Sequence, residues 1–260
     1  DLKSFHTAEV YGTSALTAIT AQNTQGVQRI FPLPLDEIAA QLDAILEDMD
    51  IGAAKTGMLY SPDMAQLAAE KLSDVKLVVD PVLVSTTKHS LSTTELADAI
   101  TAYLLPACTV VTPNIDEGEQ LTDMSIESLD DIYDACQALH KLGAEVVVIT
   151  GGHLDEATDV FYDGHSFTAL TLPKQQRAAH GSGCTFSAYT TAFLTKGISI
   201  NKAVELAKRY TWTAVVGATT PGKGVDVVWQ TATRLPVMNG DRTVTWYELQ
   251  RAVDYLLTFL

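Results

Sequence analysis

The stretch Val146-Val147-Val148-Ile149-Thr150 indicates the fold most clearly in this sequence. It is a short run of β-branched residues, which is typical of a strand buried on both faces in a parallel sheet. Four further short apolar runs predict strands of the same kind, and most of them stop at Gly, Pro or a small polar residue. They are Ala15 to Thr20, Ile51 to Lys55, Leu77 to Val79 and Thr109 to Val111.

Longer segments of helical period lie between and after these runs. Their apolar residues recur at spacings of three and four, and several have Ser, Thr or Asp near the start as a cap. The predicted helices are Leu35 to Asp48, Ser61 to Leu72, Thr93 to Leu104, Leu129 to Leu142, Cys184 to Lys196 and Ile200 to Val216. The alternation predicts an α/β fold, in which helices cover both faces of a mostly parallel sheet.

The pattern changes in the second half of the chain. Asp159 to Tyr162 and Ser166 to Leu170 flank the turn signal Asp163-Gly164-His165, so we expect a hairpin and an antiparallel edge. Thr219 to Arg242 is richer in Gly, Pro and polar residues, and Trp246 to Leu260 resumes a helical period. We therefore expect irregular chain followed by a final amphipathic helix.

Composition excludes several classes of function. The 260 residues are 47% hydrophobic and carry 17 basic against 32 acidic residues, a net charge of −15. This charge gives no general attraction to nucleic acid or to an anionic membrane, and no run approaches the roughly 20 apolar residues of a membrane span. The three cysteines show no paired spacing, as expected for reduced thiols in a cytoplasmic protein.

The segment His180-Gly181-Ser182-Gly183-Cys184-Thr185 is a glycine-rich turn that leads into an apolar helix. Glycines let backbone N–H groups approach a ligand closely, and the helix start adds the positive end of its dipole, so phosphate oxygens are favoured there. A thiol in the first turn, such as that of Cys184, can act as a thiolate base or nucleophile. A tight loop around a structural cysteine explains the pattern equally well, so the rest of the sequence must decide.

Two further candidate sites follow predicted strands. Asp80 comes directly after Val79, where a parallel strand delivers its side chains to a ligand crevice, and a carboxylate there can hold hydrated Mg²⁺. Asn114 and Glu117 follow Val111 and are spaced to face the same side of a starting helix. Each pattern alone also fits ordinary turn and cap residues. Two acidic strand ends beside one anion-binding turn are harder to explain in that way.

Other nucleotide- and metal-binding patterns are missing from the sequence. It contains neither GxxxxGK[ST] nor a GxGxxG after a strand, so a nucleotide would be bound by another design. His153, His165 and His180 lack the spacing of metal ligands, which argues against zinc. Gly57, Gly151 and Gly152 follow strands, and taken alone they are best explained as strand terminators.

Together these motifs resemble the hydroxymethylpyrimidine/phosphomethylpyrimidine kinases of thiamine biosynthesis, a branch of the ribokinase-like superfamily that also includes pyridoxal kinases. The resemblance runs from Asp1 to about Thr219 in matching order and spacing. It rests on DLKSF at 1–5, AQNT at 21–24, KTGML at 55–59, DPVLV at 80–84, VTPNIDE at 111–117, TGGH at 150–153 and HGSGCTFSA at 180–188. It implies a ribokinase-like three-layer α/β/α sandwich, with a kinase domain over residues 1–219 and a tail or linker over 220–260.

The resemblance also implies an activity: transfer of the γ-phosphoryl group of ATP, with Mg²⁺, to a hydroxymethyl or phosphomethyl pyrimidine. Matching residue by residue gives the catalytic group Gly181, Ser182, Gly183 and Cys184, with Cys184 as the base. It gives Asp80 and Glu117 for the metal, Asn114, Thr150 and Gly152 for ATP, and Asp1, Gln22 and Met58 for the pyrimidine. It further implies a homodimer.

The sequence departs from the family pattern at three places. Family members have a strand and a Gly/Ser-rich segment before DLK, so we expect Asp1 to be a pocket residue without its usual neighbours. A lysine is common where Thr150 stands, although pyridoxal-active relatives can carry threonine there. Residues 86–89, TTKH, replace the usual glycine-containing turn.

Several alternatives stay open. Thr150 favours a pyridoxal kinase, and the departure at the start together with the tail suggests a catalytically weak domain that senses the pyrimidine. The tail also resembles a connection to a following thiamine-phosphate-synthase-like domain. A cysteine hydrolase is disfavoured, because Cys184 lacks a supporting His and Asn constellation.

Overall fold

The protein is described from a computed structural model. It describes residues 1–83, 94–151, 157–175, 179–234, 236–239 and 242–245. The predicted helix Trp246 to Leu260 lies outside these residues, as does Gly152. Within the described ranges, every helix is too short or too polar to cross a membrane.

The strands form one large sheet and three small ones. In chain order they are β1 (Ala18–Asn23), β2 (Gly26–Pro32), β3 (Ala54–Thr56), β4 (Leu77–Val79), β5 (Val110–Val111), β6 (Val146–Gly151), β7 (Ala157–Tyr162), β8 (Phe167–Leu172), β9 (Ala179–His180), β10 (Asp226–Val227), β11 (Pro236–Asn239) and β12 (Arg242–Thr245). The large sheet has the order β3-β4-β5-β6-β7-β8. Its first four strands are parallel and its last two pair antiparallel, which confirms the predicted sheet and its antiparallel edge.

The helices lie on both faces of this sheet. They are α1 (Leu2–Thr7), α2 (Leu35–Leu46), α3 (Pro62–Lys71), α4 (Thr94–Ala99), α5 (Ile115–Thr122), α6 (Leu129–Lys141), α7 (Ser182–Thr195) and α8 (Ile200–Val216). A π-helical turn at Ile100–Leu104 and a 3₁₀ turn at Leu105–Ala107 continue α4, and a second 3₁₀ turn spans Gln230–Arg234.

Alternation along the strands divides the apolar residues between two cores, because successive strand side chains point to opposite faces. Val79 and Val147 pack with residues of α2 to α6 on one face. Val78 and Val148 pack with residues of α7 and α8 on the other. Helices, sheet and helices therefore form the expected three layers.

The N-terminal part differs from the sequence prediction. Within the part of the chain that the structure describes, the run Ala15 to Thr20 stays outside the large sheet, and β1 pairs with β2 in an antiparallel hairpin. The strand predicted at Ile51 to Lys55 is β3, which begins at Ala54. Helix α1 was not predicted as a separate element, and for α5 the sequence predicted only a helix start at Asn114 and Glu117. Both are short, and α5 carries Gly118 in its middle, which weakens its helical pattern.

The C-terminal part is more ordered than the predicted irregular chain. β10 pairs in parallel with β9, and the turn that starts at Gln230 packs against α7 and α8. β11 and β12 form a short hairpin. The predicted division of the chain after residue 219 stays a prediction, although the described chain that follows it lies against the preceding α/β domain as far as Ala232.

Candidate active site

The parallel strands gather the candidate residues at one edge of the sheet. β3, β4, β5 and β6 run in the same direction, so their carboxyl ends meet at that edge. Asp80 follows β4 directly, and a parallel bridge joins Asn114 to Thr150. The amide of Thr150 donates to the carbonyl oxygen of Pro113 at 2.9 Å, which fixes this bridge. The predicted metal-binding and ATP-binding residues therefore come from neighbouring strand ends.

A buried lysine joins two of the carboxylates. Nζ of Lys55 lies 3.0 Å from Oδ2 of Asp1 and 3.8 Å from Oδ2 of Asp80, and the Lys55 side chain is only 4% exposed. Buried ammonium groups require paired charges, and the two aspartates supply them. The sequence prediction missed Lys55 although it belongs to the KTGML stretch at the end of β3. A charged residue within a short strand was the available signal.

Helix α7 presents both Cys184 and a partner of Asp80. Ser187 is fully buried and its hydroxyl donates to Oδ2 of Asp80 at 2.8 Å. Cys184 lies one turn earlier, in the first turn of α7, and is open to solvent. The sequence prediction missed Ser187, whose spacing of three residues from Cys184 places both on one side of the helix.

The glycine-rich turn has the geometry expected of an anion-binding helix start. Gly181 is the N-cap of α7 and adopts the left-handed conformation with φ 91°, which favours glycine. Having no side chain, it leaves the first amides of the helix uncapped, and these include those of Ser182 and Gly183. A Cβ built on Gly183 would meet nothing within 4 Å. The helix start therefore faces open space in which phosphate oxygens can approach the backbone.

Asn114 and Glu117 form a capping box at the start of α5. The amide of Glu117 donates to Oδ1 of Asn114 at 2.9 Å, and the amide of Asn114 donates to Oε2 of Glu117 at 3.0 Å. The other oxygen of Glu117 accepts from the amide of Leu83 at 3.3 Å. Both residues thus have the cap role that the sequence left open, and their roles with ATP and metal stay predictions.

The environment of Glu117 suits a cation. Burial, and next the neighbouring Asp80 carboxylate, raise its pKa to about 7 against the two backbone hydrogen bonds. A divalent cation beside both carboxylates relieves this repulsion. Within the described ranges, no three His, Cys, Asp or Glu side chains are grouped as metal ligands. Mg²⁺ commonly binds through one or two carboxylates plus waters and phosphates, so Asp80 and Glu117 fit it.

The thiol of Cys184 is held in its protonated form. Desolvation within the cleft, and next the negative charge of Asp80, raise its pKa to about 11, although Lys55 opposes the shift. Cys184 is accessible to solvent, yet most of the surroundings of its thiol are protein atoms. The thiols of Cys108 and Cys136 are buried in the core, and burial raises the pKa of each to about 12.

The end of β6, which carries the predicted ATP-binding residue Thr150, is fixed by a buried ion pair. The amide of Gly151, next to Thr150, donates to Oδ1 of Asp159 at 3.2 Å. The same oxygen lies 2.8 Å from Nζ of Lys208 on α8. Burial raises the pKa of Asp159, while Lys208 acts in the opposite direction. This pair fixes the end of β6, from which Gly152 continues outside the described residues.

The predicted pyrimidine side is less completely defined. Gln22 is exposed on β1, beside a β-bulge at Ala21/Gln22. Met58 is half-buried, and its carbonyl oxygen accepts a hydrogen bond of 2.7 Å from the hydroxyl of Thr17. Asp1 reaches the centre of the site through Lys55. Contact of these three residues with a pyrimidine stays a prediction.

An α/β/α sandwich with an anion-binding helix start facing two carboxylates defines the class of small-molecule phosphotransferases. The family described as phosphomethylpyrimidine kinase matches residues 1–229, and the chain belongs to that family. It is 40% identical over 231 residues to the hydroxymethylpyrimidine/phosphomethylpyrimidine kinase of Bacillus subtilis, covering 86% of this chain and 85% of that protein.

Solved structures agree with this assignment. The ADP complex of Bacillus subtilis pyridoxal kinase superposes with a TM-score of 0.84 at 37% identity, covering 90% of this chain and 91% of that one. A phosphomethylpyrimidine kinase from Clostridium difficile gives a TM-score of 0.73 at 36% identity, covering 82% of this chain and 90% of that one. The predicted ribokinase-like fold, the family and the kinase class are confirmed.

Proposed function

We propose that the protein phosphorylates 4-amino-5-hydroxymethyl-2-methylpyrimidine and then its monophosphate, with ATP as the donor, in thiamine biosynthesis. The observation that carries this proposal is Cys184 in the first turn of α7, beside an uncapped anion-binding turn. Family membership supplies the reaction class, and the similarity to the Bacillus subtilis kinase supports the pyrimidine as acceptor.

In the first reaction, the thiolate form of Cys184, a minor fraction at neutral pH because the pKa of the thiol is raised to about 11, takes the proton of the substrate hydroxyl as the hydroxyl oxygen bonds to the γ-phosphorus. The bond from that phosphorus to the oxygen of ADP breaks. The amides at Gly181, Ser182 and Gly183 hold the oxygens of the transferred group, because backbone donors stabilise charge that develops there. Positioning of this kind supplies most of the catalysis in phosphoryl transfer.

Asp80 and Glu117 would hold Mg²⁺, which supplies neutralisation of phosphate charge when bound. Lys55 and Ser187 both contact Oδ2 of Asp80 and so orient its carboxylate. We propose that Asn114, Thr150 and Gly152 bind the nucleotide. Asp1, Gln22 and Met58 would bind the pyrimidine, since an amide such as that of Gln22 both donates and accepts at an aminopyrimidine edge.

Pyridoxal is the second candidate acceptor. The observations that favour it are Thr150, where family members commonly have lysine, and the similarity to Bacillus subtilis pyridoxal kinase. Both acceptors are small rings that carry a hydroxymethyl group, so they can compete for a single pocket. We place the pyrimidine first, because the matching family is described by that substrate.

An assay with Mg-ATP tests the proposal. Hydroxymethylpyrimidine, its monophosphate and pyridoxal are incubated separately, and the products are identified by mass spectrometry. Formation of the pyrimidine diphosphate supports the proposal. If pyridoxal phosphate is the only product, the protein acts in vitamin B6 salvage instead. If the pyrimidine binds and no product forms, the result favours a pyrimidine-sensing domain.

We also propose that the protein is a cytoplasmic homodimer. The β1–β2 hairpin exposes Ile19 and Phe31, each by more than half of its surface, and an apolar ribbon of this kind suits contact with a second copy. Light scattering across a dilution series tests the dimer. A monomer at all concentrations would reject it.

A further inference from the structure

Residues Gly222–Val228, which we call the linking segment, lie between two parts of the candidate site. One end contacts Thr24, in the turn of the β1–β2 hairpin. The amide of Val225 donates to the carbonyl oxygen of Thr24 at 2.9 Å, and the amide of Gly224 donates to its hydroxyl at 3.1 Å. These bonds connect positions 200 residues apart in the chain. The linking segment therefore holds the tip of the hairpin.

Glycines make this approach possible. A Cβ built on Gly224 would lie 1.9 Å from the carbonyl oxygen of Thr24, and one on Gly222 would lie 2.4 Å from its Oγ1. Distances this short do not occur for real Cβ atoms, so a side chain at position 224 must displace the hairpin backbone.

The other end of the linking segment pairs with the strand that enters the glycine-rich turn. In the β9–β10 pair, Val227 lies opposite His180, and the amide of Val228 donates to the carbonyl oxygen of His180 at 3.2 Å. Val228 also packs against Gly181, the residue that follows His180. A Cβ built on Gly181 would lie 3.3 Å from Cγ2 of Val228. The linking segment thus contacts the anion-binding turn directly.

Contacts with α7 fix this second end. The side-chain amide of Gln230 donates to the hydroxyl of Thr185 at 3.2 Å, and the hydroxyl of Tyr189 donates to the carbonyl oxygen of Gln230 at 2.8 Å. By contrast, the hairpin is a two-stranded ribbon outside the large sheet, and such ribbons are marginally stable alone. The linking segment therefore holds the hairpin in position, and the hairpin is the less stable element of the two.

We propose that the linking segment sets the position of Gln22 relative to the anion-binding turn, with Thr24 and Gly224 as positioning residues for phosphoryl transfer. Gln22 lies two residues before Thr24 on the same strand end, and Gly181 follows His180. Val225 and Val228 are three residues apart, a span of about 10 Å in extended chain. The hairpin tip and the glycine-rich turn are thus held at a short, fixed separation. This proposal rests on the proposed function, through the role of Gln22 on the pyrimidine.

Kinetics of Thr24 variants provide the first test. Thr24→Val removes the hydroxyl that accepts from Gly224, and kcat/KM for the pyrimidine should fall about fivefold, as for the loss of one neutral hydrogen bond. KM for ATP should stay within about twofold of wild type, since the nucleotide side is untouched. Thr24→Ser should restore activity, and Gly224→Ala should be more severe than Thr24→Val. Thr20→Val makes the same change elsewhere on β1 and should be neutral. A normal kcat/KM for the pyrimidine in Thr24→Val would overturn the proposal.

Amide hydrogen exchange of the ligand-free protein provides a second test that needs no substrate. Thr24→Val should accelerate exchange at Gly224 and Val225 and also at Val228 and Thr185, whose amides donate to His180 and Gly181 at the far end of the linking segment. Faster exchange confined to the hairpin and to residues 222–225 would refute the link. If the wild-type protein phosphorylates none of the three acceptors, the proposed function fails, and exchange alone then decides whether the two turns are coupled.

Discussion

Ser187 lies three residues after Cys184 on α7 and donates a hydrogen bond of 2.8 Å to Oδ2 of Asp80. One rigid helix therefore carries the anion-binding turn, the candidate base and the residue that orients a carboxylate of the metal side. The same oxygen of Asp80 lies 3.8 Å from Nζ of Lys55. The separation between the metal side and the base is thus set by the packing of α7 on β4.

Replacement of Lys55 by methionine should strongly destabilise the protein. The ammonium group is buried between Asp1 and Asp80, and removing one partner of a buried ion pair commonly costs about 3–5 kcal/mol. Urea denaturation measures this change. Lys71→Met is the matched control, since the Lys71–Asp43 pair is well exposed and its loss should cost at most about 1 kcal/mol. Equal effects of the two substitutions would show that Lys55 is not held as a buried charge.

The free energy of unfolding should depend on the protonation of Glu117. Its pKa is raised from 4.5 to about 7 in the folded protein, so the folded state binds the proton more tightly than the unfolded state. Stability should therefore fall as the pH rises from about 4.5 to about 7, by about 3 kcal/mol in the absence of metal. Glu117→Gln should remove this contribution. The measurement is urea denaturation at several pH values between 4.5 and 8.

Mg²⁺ supplies the control for this prediction. A cation held by Asp80 and Glu117 favours the ionised carboxylates, so added Mg²⁺ should stabilise the wild type more at pH 8 than at pH 5. The Glu117→Gln variant should show a smaller gain. An equal gain at both pH values in the wild type would argue against binding at these carboxylates.

The sequence predicted the large sheet because its strands are buried on both faces. Val146 to Thr150 and Leu77 to Val79 have the continuous apolar character that this environment selects, and both runs were placed correctly. The run Ala15 to Thr20 has similar composition but pairs with β2 outside the large sheet. Composition alone does not determine which other strand a strand pairs with, so this assignment needed the structure.

The sequence could predict those candidate site residues that directly follow a strand. Asp80 and Asn114 follow β4 and β5, so parallel topology brings them together. The partners of these residues were not predictable. Lys55 is a buried charge paired with Asp1 and Asp80, and the linking segment reaches Thr24 across 200 residues. Such contacts depend on tertiary packing, which leaves no periodic signal in the sequence.

Replacement of Gly183 by alanine should lower activity without lowering stability. A methyl group at this position meets no atom within 4 Å, and alanine is favoured over glycine in a helix by about 0.5–1 kcal/mol. The melting temperature should therefore be unchanged or slightly higher. The methyl group nevertheless projects into the space where phosphate oxygens approach the amides. We expect kcat/KM to fall by about 100-fold or more, as for loss of one oxyanion donor.

Gly197→Ala is the control for Gly183→Ala. Gly197 follows α7 with φ 75°, and a Cβ there also meets nothing within 4 Å. Alanine should be strained in this conformation and lower the melting temperature, while turnover by the folded protein stays normal. If Gly183→Ala instead loses stability and keeps its activity, the anion-binding role of this turn is wrong.

Replacement of Cys184 by alanine should affect the first phosphorylation more than the second. The first acceptor is a hydroxyl, whose proton must be removed, whereas the second is a phosphate that is mostly ionised above its pKa of about 6. With a thiol pKa of about 11, wild-type kcat/KM for the alcohol should rise nearly tenfold per pH unit between pH 7 and 9. The alanine variant should lose most of this rise and about 10²–10⁴-fold in rate, the usual contribution of a general base. Turnover of the monophosphate should change far less. Parallel pH profiles for both acceptors, followed by mass spectrometry, test this directly: an equal loss on both would mean that Cys184 shapes the site without accepting the proton.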